Sequence, residues 1–327
     1  YFETRRALPS QKPKELLDLV LREGDNAGIV YCSTTKQVDE TARLLQSRGI
    51  RAAAYHAKLD AEVRRKNQDD FLYDRVQIMV ATNAFGMGID KPNVRFVIHY
   101  NMPQSMENYY QEAGRAGRDG LPSQCILLFS PQDIVINRFL LDHKENDDLD
   151  DEAADLLRKR DNQRLQAMAN YCQTTGCLRN YILRYFGEEP DGPCGSCGNC
   201  DREFEEVDMT AQAKWMINCV AETRGRYGKG VVLNTLRGAN MARLRELGAM
   251  DYRSYGQLKD CTRDELDCLL AQLLEEGYLV QTDDKYAVLH MGNITPLKQG
   301  AQVVVKLPPK PEPAEAASKK HKAGKTA

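Results

Sequence analysis

The stretch Val76-Gln77-Ile78-Met79-Val80-Ala81-Thr82-Asn83-Ala84-Phe85-Gly86-Met87-Gly88-Ile89-Asp90-Lys91-Pro92 runs a short apolar segment into a glycine-bearing loop. An apolar run of this length, closed by turn residues, predicts a buried strand ending where the loop begins. Comparable strands are predicted upstream at Gly28–Cys32 and Arg51–Tyr55, and downstream at Val94–Tyr100 and Gln124–Phe129. Helical spacing of apolar residues marks Pro13–Leu21, and a second helix at Val38–Ser47 has Ser33 and Thr34 as candidate caps and Gly49 after its end. Strands alternating with helices in this way predict an α/β fold, a parallel sheet with helices on both faces. In such a sheet the working residues lie on loops beyond the carboxyl ends of the strands.

A second stretch, Gln111-Glu112-Ala113-Gly114-Arg115-Ala116-Gly117-Arg118-Asp119-Gly120, spaces Gln111, Arg115 and Arg118 at i, i+4 and i+7. On a helix these three share one face, with Gly114 and Gly117 keeping the neighbouring surface thin. Two guanidiniums on one face suit a polyphosphate whose charge shifts during hydrolysis. Together the two stretches resemble motifs V and VI of superfamily 2 helicases, in the wording of the RecQ family. The resemblance implies a RecA-like sheet in which Arg115 and Arg118 act as arginine fingers on the γ-phosphate of ATP, with Gln111, Gly88 and Asp90 beside the nucleotide. It also implies that Thr82 holds a nucleic-acid phosphate while Gly86 and Gly88 let the loop change conformation. Upstream, Tyr31-Cys32-Ser33-Thr34 and Tyr55-His56-Ala57-Lys58-Leu59 resemble motif IV and the element after it, implying strand contacts from Ser33, Thr34 and His56. Lys58 stands where the family commonly has glycine.

The phosphate-cradling loop and the metal-holding acids of such a motor are not recognisable in this sequence. Gly324-Lys325-Thr326 has the right ending, but Lys319 occupies the place of the leading glycine, and Asp151-Glu152-Ala153-Ala154 lies in an acidic run and ends no apolar strand. The expectation is that ATP and Mg2+ need a first motor domain and that this chain alone does not hydrolyse ATP.

Cys177, Cys194, Cys197 and Cys200, the last three within Pro193-Cys194-Gly195-Ser196-Cys197-Gly198-Asn199-Cys200, have the spacing of ligands converging on one tetrahedral zinc ion. Four thiolates leave no coordination position for a catalytic water, so the expected Zn2+ is structural. Cys172 competes as a ligand; the spacing in the RecQ zinc module favours Cys177. The other cysteines are scattered through apolar stretches, which argues for free thiols and a reducing, cytoplasmic compartment.

With 327 residues, 42% of them hydrophobic and 28% charged, the chain is long enough for two or three folded domains. No apolar run approaches a membrane span, and the start, Tyr1-Phe2-Glu3-Thr4-Arg5-Arg6, lacks both a signal pattern and an initiator Met, which reads as a piece of a longer protein. The formal net charge of −2 hides an asymmetry: from Met209 to Asp260 nine Lys and Arg stand against four acids. There Arg224-Gly225-Arg226-Tyr227-Gly228-Lys229-Gly230, followed by Leu236-Arg237-Gly238, resembles the RecQ winged-helix domain, with Arg226, Lys229 and Arg237 as candidate DNA contacts. A capping box, Thr262 with Glu265, opens a helix to Glu276. Its surface is acidic, so DNA contact is expected from the basic loop and wing instead. The strands Tyr278–Gln281 and Tyr286–His290 would form that wing, and its short tip Asp283-Asp284-Lys285 lacks an aromatic residue.

The expected division is a second RecA-like helicase domain at 1–145, a helical zinc module at 146–207, a winged-helix domain at 208–300 and a disordered tail at 301–327. By resemblance this is the rear part of a 3′ to 5′ DNA helicase of repair, recombination and replication, including the SOS response. It would act on single strands and duplex junctions, with a single-strand-binding protein as a further partner and the nucleoid as its place in a bacterium. A zinc and winged-helix DNA-binding protein with a relic motor lobe is the alternative.

Overall fold

The computed structural model describes residues 1–85, 90–143, 151–282 and 287–307. The described residues divide into two compact units. The first is Tyr1–Asp201 with Arg226–Lys229 and Gln281–Leu289; the second is Arg202–Gly225, Gly230–Val280 and the residues from His290.

The first unit is built on six parallel strands: β1 (Phe2–Arg6), β2 (Ala27–Tyr31), β3 (Ala52–Tyr55), β4 (Ile78–Ala81), β5 (Val94–His99) and β6 (Gln124–Phe129). Their spatial order is β1-β6-β5-β2-β4-β3. Strand side chains alternate between two cores. Val30, Ile78, Val80, Phe96 and Ile98 face one side, where they meet α1 (Lys12–Arg22) and α2 (Thr35–Ser47). Ile29, Tyr31, Met79, Val97 and Leu127 face the other. Packed there are α3 (Ala61–Leu72), α4 (Met106–Ala113), α6 (Asp151–Gln173) and α7 (Leu178–Tyr185), while α5 (Pro131–Asp142) and α8 (Gly198–Asp201) complete the unit. Leu165, Met168, Leu178, Ile182 and Cys197 therefore share a core with the sheet. The helices expected to form a separate zinc module are an extension of the motor core, and no boundary between cores falls at 145.

Strand β1 was not expected from the sequence. Its residues are mostly polar, because it is an edge strand whose pairing partner, β6, lies more than a hundred residues away.

The second unit contains α9 (Thr210–Glu222), α10 (Lys229–Leu236), whose first residue belongs to the other unit, α11 (Ala242–Glu246) and α12 (Arg263–Glu275). The expected capping box forms at the start of α12: the Thr262 side chain accepts from the Glu265 backbone N–H, and the Glu265 side chain accepts from that of Thr262. The wing consists of β8 (Leu279–Gln281) and β9 (Leu289–Met291); its tip lies outside the described residues. Strand β7 (Glu205–Asp208) pairs antiparallel with β10 (Val304–Leu307), which follows the short α13 (Thr295–Lys298). Hence 301–307 is not tail: Val303, Val305 and Leu307 are buried, and this unit begins near Arg202 and reaches Leu307. Residues 308–327, read as disordered, lie outside the described residues, as does most of the acidic run. No helix among the described residues is long and apolar enough to cross a membrane.

Candidate functional site

The carboxyl ends of β2, β4 and β5 bring Tyr31, Thr82 and His99 to one edge of the sheet. Helix α4 ends just beyond them. Gly114 caps it, and residues 114–119 continue as turns. The expectation that Gln111, Arg115 and Arg118 share a helical face is therefore corrected: Gln111 lies on the helix, and the arginines lie on the turns after it. Gly117 is the cause. Its φ is +67°, its N–H bonds to Val94 O at 2.9 Å, and a Cβ there would stand 2.5 Å from Ser123 Oγ. A continuing helix would need a negative φ at Gly117 and would lose the Val94 bond, and the crowding by Ser123 keeps the position glycine.

The turn presents Arg115 and Arg118 differently. Arg118 is exposed and already engaged, its Nη1 3.3 Å from Asp90 Oδ1 and its Nε 3.4 Å from Gly114 O. Arg115 Nε is buried and has no hydrogen-bond partner among the described residues, an unmet donor suited to an anionic oxygen. The guanidinium lies beside the Tyr31 hydroxyl, which itself donates to Phe85 O at 2.8 Å. Burial raises the Tyr31 phenol well above its usual pKa, and the charge of Arg115 partly offsets this.

His99 was not singled out from the sequence. Fully buried, it stacks on the Tyr31 ring with centroids 5.4 Å apart, and its Nε2 is 2.8 Å from Glu112 Oε2 on α4. A histidine interrupting the apolar strand Val94–His99 was the available signal. Also unforeseen is a network that runs from the surface into the fold. Ser33 N–H donates to Asn101 Oδ1 at 3.1 Å, and Asn101 Nδ2 lies 3.3 Å from Asp133 Oδ1. Asp133 Oδ2 in turn accepts from Lys12 Nζ at 2.8 Å.

The other candidate residues are placed as follows. Ser33 and Thr34 are exposed, and Thr34 caps α2 by accepting from the Gln37 N–H. Thr82 is half-buried, with its hydroxyl 3.4 Å from the Ala84 N–H. His56 is 3% exposed and lies 3.0 Å from Asp39 Oδ1. Asp90 and Gln111 are exposed; Gly86 and Gly88 lie outside the described residues. Arg226 and Arg237 are exposed, whereas Lys229 is half-buried with its Nζ 3.3 Å from Gln173 Oε1. Thus the structure pairs Arg118 with Asp90, leaves Gln111 exposed, and keeps Lys229 half-buried.

The four cysteines converge. All four Sγ atoms lie within 4.8 Å of one another, with Cys194 to Cys200 at 3.9 Å and Cys177 to Cys197 at 4.0 Å. Ligands about 2.3 Å from one tetrahedral zinc stand about 3.8 Å apart, so the spacing fits. Cys172 is buried outside this group, which removes it as a competitor. Cys177 caps α7: burial raises its thiol, but the Asn180 and Cys194 N–H donors outweigh this and bring it down to about 7. Asn199 Nδ2 donates to Thr174 O and Gly176 O, both at 2.8 Å, and Cys197 bridges to Phe2 of β1, tying the cluster to the sheet.

Three family models match in succession: the helicase conserved C-terminal domain at residues 11–120, RecQ zinc-binding at 131–201 and the RQC domain at 203–313. The four-cysteine cluster is accordingly a structural zinc site. The ATP-dependent DNA helicase RecQ of Bacillus subtilis is 40% identical over 282 residues, which are 86% of this chain and 46% of the relative. The proteins of the same name from Pasteurella multocida and Haemophilus influenzae are 34% and 33% identical over 89% and 90% of this chain. The chain spans just under half the length of these relatives.

Proposed function

Because this chain belongs to the RecQ family of helicases, we propose that it is the nucleotide-sensing and DNA-holding part of an ATP-dependent DNA helicase moving 3′ to 5′. The observation that carries this reading is Arg115: a buried guanidinium nitrogen with no hydrogen-bond partner among the described residues, at the carboxyl edge of a parallel sheet, inside a helicase family match. Arg115 and Arg118 would donate to the γ-phosphate of an ATP whose phosphate loop and Mg2+ are held by residues other than these, with Gln111, Gly88 and Asp90 beside the nucleotide. Arg118 must then exchange Asp90 for phosphate, so the Asp90 pair is a resting contact that nucleotide displaces.

Thr82, Ser33 and Thr34 would touch the translocated strand, while Arg226 and Arg237 hold duplex phosphates. His56 and Lys229 support these residues from within the fold. Single strands and duplex junctions are the proposed substrates, a single-strand-binding protein a proposed partner, and DNA repair, recombination and replication at the nucleoid the proposed setting. The test is made on a protein spanning the full length of its relatives. Hydrolysis stimulated by single-stranded DNA, and unwinding of duplexes with a 3′ but not a 5′ overhang, are expected. Unwinding from the 5′ overhang would reverse the polarity, and DNA binding without hydrolysis would favour the relic motor lobe.

A further inference from the structure

Tyr31 ends β2 with its ring buried against His99 and its hydroxyl pointed at two elements that must communicate in any motor of this kind. One is the backbone after β4. The hydroxyl donates to Phe85 O at 2.8 Å, Phe85 N–H closes a turn onto Thr82 O at 3.0 Å, and Thr82 N–H is held by Tyr55 O at 3.2 Å. The other is the turn after α4, which carries Arg115 beside the same hydroxyl. Glu112, three residues before Arg115, holds the His99 ring on which Tyr31 stacks.

A phenol is suited to this position. It donates one hydrogen bond and keeps lone pairs to accept another, so the oxygen bonded to the carbonyl can also accept from a guanidinium. The Phe85 ring is fully buried against Tyr55 and Phe71, so the carbonyl has little freedom to move independently of its turn.

We propose that Tyr31 is a positioning residue whose hydroxyl links Arg115 to the Thr82–Phe85 turn, so that withdrawal of the guanidinium toward nucleotide is felt at the residues that hold DNA. This rests on the helicase reading above, and two measurements separate their failures. In this chain, Tyr31→Phe keeps the ring and removes only the hydroxyl. Amide hydrogen exchange at Asn83–Phe85 is expected to rise about fivefold while α2 is unchanged. In the full-length enzyme, Tyr31→Phe is expected to lower the DNA-stimulated kcat about tenfold, with KM for ATP and DNA affinity held within about twofold. Combined with Arg115→Ala, it should cause no further loss. Unchanged exchange, unchanged kcat, an effect confined to KM, or additive losses in the double variant would each overturn the link. An unaltered full-length enzyme without DNA-stimulated hydrolysis would overturn the helicase reading and the signalling role, while the exchange result would still decide whether the hydroxyl holds the turn.

Discussion

Lys12 opens an amphipathic helix, a place where lysine is ordinarily solvated, yet it is 2% exposed and bonded to Asp133 Oδ2 and Tyr100 O. Burial pulls its pKa below the usual lysine value despite the attraction of Asp133. Replacing it with Met leaves the Asp133 carboxylate buried and missing its cation, and removal of one partner of a buried pair costs about 3–5 kcal/mol. Lys12→Met should lower the urea midpoint of the first unit accordingly; a change no larger than that of an exposed lysine variant would show that the pair contributes little. Because Asn101 joins Asp133 to the Ser33 N–H, the same variant should loosen a residue proposed to touch DNA. At Arg118 the reasoning concerns rate. An arginine acting on the transferred phosphate contributes about a thousandfold or more to kcat. In the full-length enzyme Arg118→Ala should therefore nearly abolish hydrolysis while ATP still binds by equilibrium titration. Retained hydrolysis would assign Arg118 to its Asp90 contact alone.

The cysteine cluster holds α7 by its N-cap Cys177 and β1 through Cys197, so the ion fastens two elements that share the core under the sheet. Cys197→Ser should reduce zinc from one per chain to a small fraction by elemental analysis and lower the Tm of this unit by about 10 °C. Cys172→Ser should keep its zinc, and loss of metal there would reopen the ligand assignment. That these ligands were legible in advance follows from their short spacing: the turns bringing Cys194, Cys197 and Cys200 together are local. The helix start at Thr262 was legible for the same reason. Strands β1, β7 and β10 were not, because each is short or polar and acquires its strand character only from a partner distant in sequence. The arginine turn was misread because counting i, i+4 and i+7 assumes an unbroken helix, while Gly117 needs a positive φ that only the fold reveals. His99 with Glu112, and Lys12 with Asp133, are pairs that only the folded sheet brings together.

For the molecule as a whole, charge is distributed so that the balance of −2 conceals a basic stretch between Met209 and Asp260. In the second unit Arg224, Arg237, Arg243, Arg245 and Lys259 are exposed, whereas α12 exposes Asp264 and Glu275. A helix of that charge does not enter a groove lined by phosphates, so binding should depend on backbone charge and vary little with base sequence. This chain, used alone, should therefore bind a partial duplex with an affinity set by salt. If about three phosphates are neutralised, affinity falls about fortyfold between roughly 50 and 200 mM monovalent salt, and Arg237→Ala lowers the log–log slope by about one. Fluorescence anisotropy over a salt series measures both. Under the same conditions the chain should hydrolyse no ATP, since its arginines are proposed to complete a nucleotide site but none of its described loops has the G-x-x-x-x-G-K-[ST] pattern that cradles phosphates. A salt-independent affinity would place the contact on apolar or base-reading groups, and turnover by this chain alone would mean that it contains a complete nucleotide site.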